Sequence, residues 1–129
     1  MPQVLLDTHS FLWFVTEDPK LSAPAQRVIA VSSNEPLLST VSVWEIAIKV
    51  SIGRLPIPES LNTFIPEQLK INRIGLLPIE LRHIFEVSGL PLYHRDPFDR
   101  LLIAQALIED LPIVSADPAF DNYPIQRIW

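Results

Sequence analysis

The sequence predicts an α/β sandwich built on a mainly parallel sheet, and three observations predict it. Short apolar runs that end in polar residues alternate with longer segments of helical spacing, the pattern of parallel strands joined by crossover helices. Thirteen prolines against three glycines punctuate the chain, so element boundaries are read mainly from proline. The 129 residues, 48% hydrophobic and 19% charged, suffice for a single domain, 1–129, with its own core.

The run VLLD at 4–7 reads as the first strand. PLLST (36–40), RIGLLP (73–78), PIVSAD (112–117) and IQRIW (125–129) read as four more, and all are expected to be buried on both faces. Helical spacing marks 8–16, 22–32, 42–52 closed by Gly53, and 80–88 closed by Gly89. A helix over 59–71 is expected to restart or bend at Pro66, and the last long helix, 97–109, carries Pro97 in its first turn. Crossovers should be right-handed. Such sheets bind ligands at the carboxyl ends of their strands, which points to Asp7 and Asp117.

Ten basic against fifteen acidic residues give a net charge of −5, so no whole-molecule positive field is available to hold a nucleic acid. Any polyanion needs a local basic patch or bound cations. The absence of cysteine excludes disulfides, thiolate metal sites and cysteine nucleophiles, and suits a reducing compartment. The N-terminus lacks a basic leader, and no apolar run approaches the roughly 20 residues needed to span a bilayer. The expectation is a soluble, cytoplasmic protein with no membrane partner.

Four acids sit at expected strand ends or helix starts: Asp7, Glu45, Asp99 and Asp117. Taken singly, each has a capping explanation. Asp96-Pro97-Phe98-Asp99 fits an N-cap followed by proline and an acid, Ser42 to Glu45 has capping-box spacing, and Asp117-Pro118 repeats the N-cap pattern. The helix dipole favours such placements by roughly 0.3–1 kcal/mol each. As a set they are harder to explain. The helix after Asp99 and the surroundings of Glu45 are apolar, so these charges need partners, and basic residues placed to supply them are few. Carboxylates crowded on one rim repel by up to ~4 kcal/mol per close pair. A hard divalent cation removes that cost, and all-oxygen ligation suits Mg²⁺ or Mn²⁺.

The stretches LLDTHSFLW, LLSTVSVWEIAIKVSIGRL and HRDPFDRLLIAQALIEDLPIVSADPAF resemble PIN-domain proteins, in particular the VapC-type toxins of type II toxin–antitoxin pairs. The resemblance runs from residue 3 to the end, in the family's order. It implies a three-layer α/β/α sandwich and a metal-dependent endoribonuclease that uses one or two Mg²⁺ or Mn²⁺ ions. Carried over by motif, the catalytic and metal-binding acids are Asp7, Glu45, Asp99 and Asp117, with Thr8 and Ser115 as supporting residues. Asp96 competes with Asp99 for its role and Asp121 with Asp117. The residue before the last acid is Ala116, where many relatives carry a basic residue. The resemblance also implies an RNA substrate, a cognate antitoxin and a homodimer. An acidic pocket invites a basic antitoxin segment, and the apolar region 42–71 is a candidate groove for an antitoxin helix, although core packing accounts for much of its apolar character.

Arg100, Arg95 and Lys49 are the basic residues near these motifs and the candidates for RNA contact. Against that role, Lys49 has the i,i+4 spacing for a pair with Glu45, and the arginines read equally as solvated charges. Trp13 and Trp44 read as core aromatics before base-stacking platforms. His9 and His94 lack metal-pair spacing and read as polar surface or site-edge residues, and His83 as an ordinary helix residue. A receiver-like domain is disfavoured because no lysine follows a late strand, and a haloacid-dehalogenase-type phosphatase because position 9 is His. The remaining alternative keeps the PIN fold as an RNA- or partner-binding module without significant nuclease activity.

Overall fold

The computed structural model describes residues 2–129. Its elements are β1 (Gln3–Leu6), α1 (Thr8–Val15), α2 (Ala23–Ala30), β2 (Glu35–Ser39), α3 (Thr40–Ser51), α4 (Leu61–Asn72), β3 (Gly75–Leu77), α5 (Leu81–Ser88), α6 (Pro97–Glu109), β4 (Ile113–Val114) and β5 (Arg127–Ile128). A 3₁₀ turn, Pro118–Asn122, joins the last two strands. The five strands form one sheet in the order β3-β2-β1-β4-β5, and every neighbouring pair is parallel. The α/β class and the parallel sheet are as the sequence predicted.

Alternation along β1 directs Val4 and Leu6 to one face of the sheet and Leu5 to the other. The first face is covered by Phe11 of α1, Ala25 and Ile29 of α2, and Phe64 and Ile65 of α4. Leu102, Ile103 and Ala106 of α6 cover the second with Leu90 and Phe120. The chain winds outward from β1 through β2 to β3, then returns to the other side of β1 for β4 and β5. That reversal puts the topological switch point of the sheet at the carboxyl ends of β1 and β4, where doubly wound sheets form their ligand crevice.

Several local expectations need correction. Only the inner strands are buried on both faces; β3 and β5 lie at the sheet edges and are half-exposed. Helix α3 starts at Thr40, because Ser39, the last residue of β2, is its cap and accepts from Val41 N at 3.1 Å. Ser42 and Glu45 therefore form no capping box, and Glu45 lies in the second turn. Pro66 does not restart α4, which runs unbroken with Phe64 and Ile65 buried beside it. Gly53 has the left-handed φ of +73°, whereas Gly89 ends α5 at φ −98°. Trp44 is no core residue: it is 58% exposed, with its ring edge-on to Phe98 at 5.0 Å.

Candidate metal centre at the carboxyl edge of the sheet

Asp7 extends β1 by one step, its N–H donating to Val114 O at 3.1 Å, so the β1–β4 pairing itself fixes where its side chain starts. Its Oδ1 caps α1 by accepting from Ser10 N at 2.8 Å. Ser10 is tied back to β4 by a hydroxyl bond to Val114 O at 3.0 Å. Asp7 is 6% exposed. Burial pushes its carboxyl above the ordinary range, opposed by hydrogen bonds from Ser10 and Ser115.

The next residue, Thr8, donates its hydroxyl to Glu45 Oε1 at 2.7 Å and lies 2.9 Å from Ser42 Oγ. Glu45, on the inward side of α3 and 8% exposed, pairs through Oε2 with Lys49 Nζ at 3.1 Å. Both oxygens of this buried carboxylate thus have partners, as its burial requires.

Asp96 caps α6, its Oδ1 accepting from Phe98 N at 2.8 Å and Asp99 N at 3.3 Å. Asp99, in the first turn, has its carboxyl pushed up to about 7 by burial first and then by the negative charge of Asp96. His94 opposes the rise, and the charges of Asp7 and Glu45 add to it. Asp117 caps the 3₁₀ turn through Ala119 N at 2.9 Å and donates its own N–H to Ser115 Oγ at 3.0 Å. Its other oxygen, Oδ2, lies 3.0 Å from His94 Nε2, and the same nitrogen lies 3.0 Å from Asp99 Oδ2.

The four expected acids are therefore linked at one edge of the sheet. Thr8 binds Glu45 and follows Asp7, Ser115 accepts from the N–H of Asp117, His94 joins Asp117 to Asp99, and the charges of Asp7 and Glu45 raise the Asp99 carboxyl. Asp96 stays a cap. Asp121 points away into an exposed bidentate pair with Arg127, 3.0 Å on each side. Arg100 donates to four backbone carbonyls, those of Val87, Leu90, Pro91 and His94, and so clamps the loop before α6. Arg95 is exposed, and Lys49 is committed to Glu45.

Two histidines were undervalued from sequence. His94 reaches Asp117 across 23 positions, a proximity that no local spacing encodes. His83 is fully buried, with Nε2 2.8 Å from Glu109 Oε2, so it is more than an ordinary residue of α5.

Among the described residues, two trios bring one ligand atom each within 4.8 Å of one another: His94–Asp99–Asp117 and Glu80–His83–Glu109. Their electrostatics differ. The second trio already contains a cation, since Arg82 pairs with both Glu80 and Glu109. The side chains of the first are bonded to no arginine or lysine, and Asp7 and Glu45 add charge nearby. Hard oxygen donors with an uncompensated negative charge fit Mg²⁺ or Mn²⁺.

The comparisons agree with this architecture. Ribonuclease VapC16 of Mycobacterium tuberculosis is 35% identical over 69 residues, 50% of this chain and 48% of that protein, so the match spans about half the length of the relative. The crystal structure of VapBC2 from Rickettsia felis, bound to a DNA fragment from their promoter, matches with a TM-score of 0.69 at 15% identity, covering 97% of this chain and 96% of that one. DNA-bound VapBC from Salmonella typhimurium gives 0.68 at 17% identity, with 98% and 97% covered. FitAcB from Neisseria gonorrhoeae gives 0.59 at 20% identity, with 96% and 95% covered. Residues 4–126 match the family described as PIN domain. On that match and on the parallel sheet the motifs had led us to expect, the chain belongs to the PIN domain family.

Proposed function

We propose that this protein is a metal-dependent endoribonuclease acting in the cytoplasm as the toxin of a type II toxin–antitoxin pair. The observation that carries the reading is the linkage of Asp7, Glu45, Asp99 and Asp117 at the β1/β4 crevice, with Asp99 pushed up to about 7 among like charges. The half-length match to a protein named as a ribonuclease supports the activity. The likeness to VapBC and FitAcB structures supports the fold on which it rests.

Asp7, Asp99 and Asp117 would hold the ion, with Glu45 completing the acidic set. A divalent ion bound there lowers the pKa of a coordinated water and offsets charge gathering on the phosphate. The protein's own part is orientation. Thr8 and Lys49 fix both oxygens of Glu45, Ser115 braces Asp117, and the caps at Ser10 and Ala119 leave one oxygen of Asp7 and one of Asp117 for other partners.

Two surfaces support partners. A groove of about 590 Å³ beside the crevice is lined by Leu12, Trp13, Leu55, Ile57 and Phe64, with Lys49 and Arg54 at its edge. It has the apolar floor an amphipathic antitoxin helix needs. On the other side of the sheet Leu81, Ile84 and Phe85 of α5 are exposed together with Leu92 and Tyr93, which supports a homodimer. Among the described residues no helix is long and apolar enough to cross a membrane.

One observation favours the binding-module alternative: Lys49 and His94 already engage three of the four acids. Incubating total cellular RNA with purified protein in Mg²⁺, Mn²⁺ or chelator, beside Asp7→Asn, decides between them. Discrete fragments that need metal and vanish in the variant support the nuclease. Metal binding without cleavage by the folded, antitoxin-free protein supports the module.

A further inference from the structure

His94, in the loop between α5 and α6, is held through both its backbone and its ring. Its backbone N–H donates to Tyr123 Oη at 2.9 Å, and that hydroxyl donates to Pro91 O at 2.6 Å. Its carbonyl accepts from Arg100 Nη1 at 3.2 Å, and its ring lies 5.6 Å from the ring of the buried Phe120. At the imidazole itself, Nδ1 accepts the backbone N–H of Asp96 at 3.3 Å. An acceptor at Nδ1 leaves the ring hydrogen on Nε2. That nitrogen faces Asp99 Oδ2 and Asp117 Oδ2, 3.0 Å from each. The two carboxylates belong to different elements, α6 and the 3₁₀ turn, and repel one another; the shared N–H is what joins them.

Resting on the metal-site reading above, we infer that His94 is a positioning residue: its Nε2–H sets the span between Asp99 and Asp117 and stays bonded to them, without itself ligating the ion, when the site is loaded. Ligation through Nε2 would move the hydrogen to Nδ1, where it would confront the Asp96 N–H, donor against donor. A carboxylate oxygen offers two lone pairs, so each Oδ2 can accept from His94 and still face an ion. Loss of a hydrogen-bonding partner that orients a ligand typically weakens metal binding about 10- to 100-fold.

The test is Mn²⁺ affinity of the full chain, measured by electron paramagnetic resonance for the unsubstituted protein, His94→Phe and His94→Gln, with circular dichroism as a check of folding. His94→Phe keeps the packing on Phe120 and should bind Mn²⁺ about 10- to 100-fold more weakly. His94→Gln, which restores an N–H donor, should recover part of that loss. Equal or tighter binding by His94→Phe overturns the inference. Should that variant not fold, ¹⁵N spectra of the unsubstituted protein with Mg²⁺ decide: the hydrogen is expected to stay on Nε2, and its transfer to Nδ1 marks a ligand and overturns the inference. An unsubstituted protein that binds no Mn²⁺ overturns the metal-site reading together with this one, whereas normal binding with no effect of His94→Phe overturns only the role of His94.

Discussion

Thr8 donates its hydroxyl to Glu45 across 2.7 Å and so joins the first turn of α1 to the second turn of α3. Both residues are buried, so neither can exchange this bond for one to water. Thr8→Val keeps the shape and removes the donor. It should cost about 1–3 kcal/mol of stability, the range for a buried polar group left unpaired, read from urea unfolding. If Thr8 holds Glu45 in a working site, RNA cleavage should fall about 10- to 100-fold as well. An active variant of unchanged stability would show that the bond is incidental.

Stability of the metal-free protein should depend on Asp99 with a definite sign. Its carboxyl rises from 3.8 to about 7 on folding, driven by burial and then by Asp96, so the folded state holds this proton more tightly than the unfolded chain does. The stabilising contribution is present in full below about pH 4 and is lost as the pH rises towards about 7, beyond which both states are ionised. Asp7 is raised in the same direction. Urea midpoints in chelator should therefore fall with pH across this window, and less steeply in Asp99→Asn. Mn²⁺ affinity should rise over the same window, since the ion competes with that proton. Identical pH slopes in both proteins would contradict the assignment.

Arg100 should matter for structure before it matters for RNA. Its guanidinium spans the Val87 carbonyl of α5 and three carbonyls of the loop that delivers His94, a task a single ammonium cannot perform. Arg100→Lys and Arg100→Ala should both lose roughly 1.5–3 kcal/mol, the scale of hydrogen bonds to a charged group, in thermal or urea unfolding. Full stability in Arg100→Lys would mean that charge alone suffices.

Asp121 and Asp117 should separate cleanly. Asp121→Ala breaks only an exposed pair with Arg127 and should leave cleavage and the thermal midpoint near those of the parent. Asp117→Asn should abolish cleavage. A comparable loss of cleavage in Asp121→Ala would bring that residue into the site.

The sheet and the acids were legible because they depend on local patterns. Apolar runs such as VLLD and PLLST have few alternatives to buried strands, Asp7 stands at the end of one of them, and Asp96 and Asp117 carry cap signals in their own Asp-Pro dipeptides. One failure was also local in origin. In STVSVWE three hydroxyl residues compete to start one helix, and Ser39 wins because β2 runs into α3 with no loop between them. The edge positions of β3 and β5, the exposure of Trp44 and the bridge made by His94 depend on which elements become neighbours. Hydrophobic spacing does not carry that information. The Glu80–His83–Glu109 cluster was missed for the same reason, since it joins α5 to the far end of α6.

The most direct measurement compares RNA cleavage by Asp99→Asn and Glu109→Gln with that of the parent protein, in Mg²⁺ and in chelator, after circular dichroism has shown all three folded. Asp99→Asn should remove metal-dependent cleavage while Glu109→Gln retains it, placing the chemistry at the β1/β4 crevice. Cleavage that survives Asp99→Asn, that persists in chelator, or that disappears only with Glu109→Gln would contradict the account.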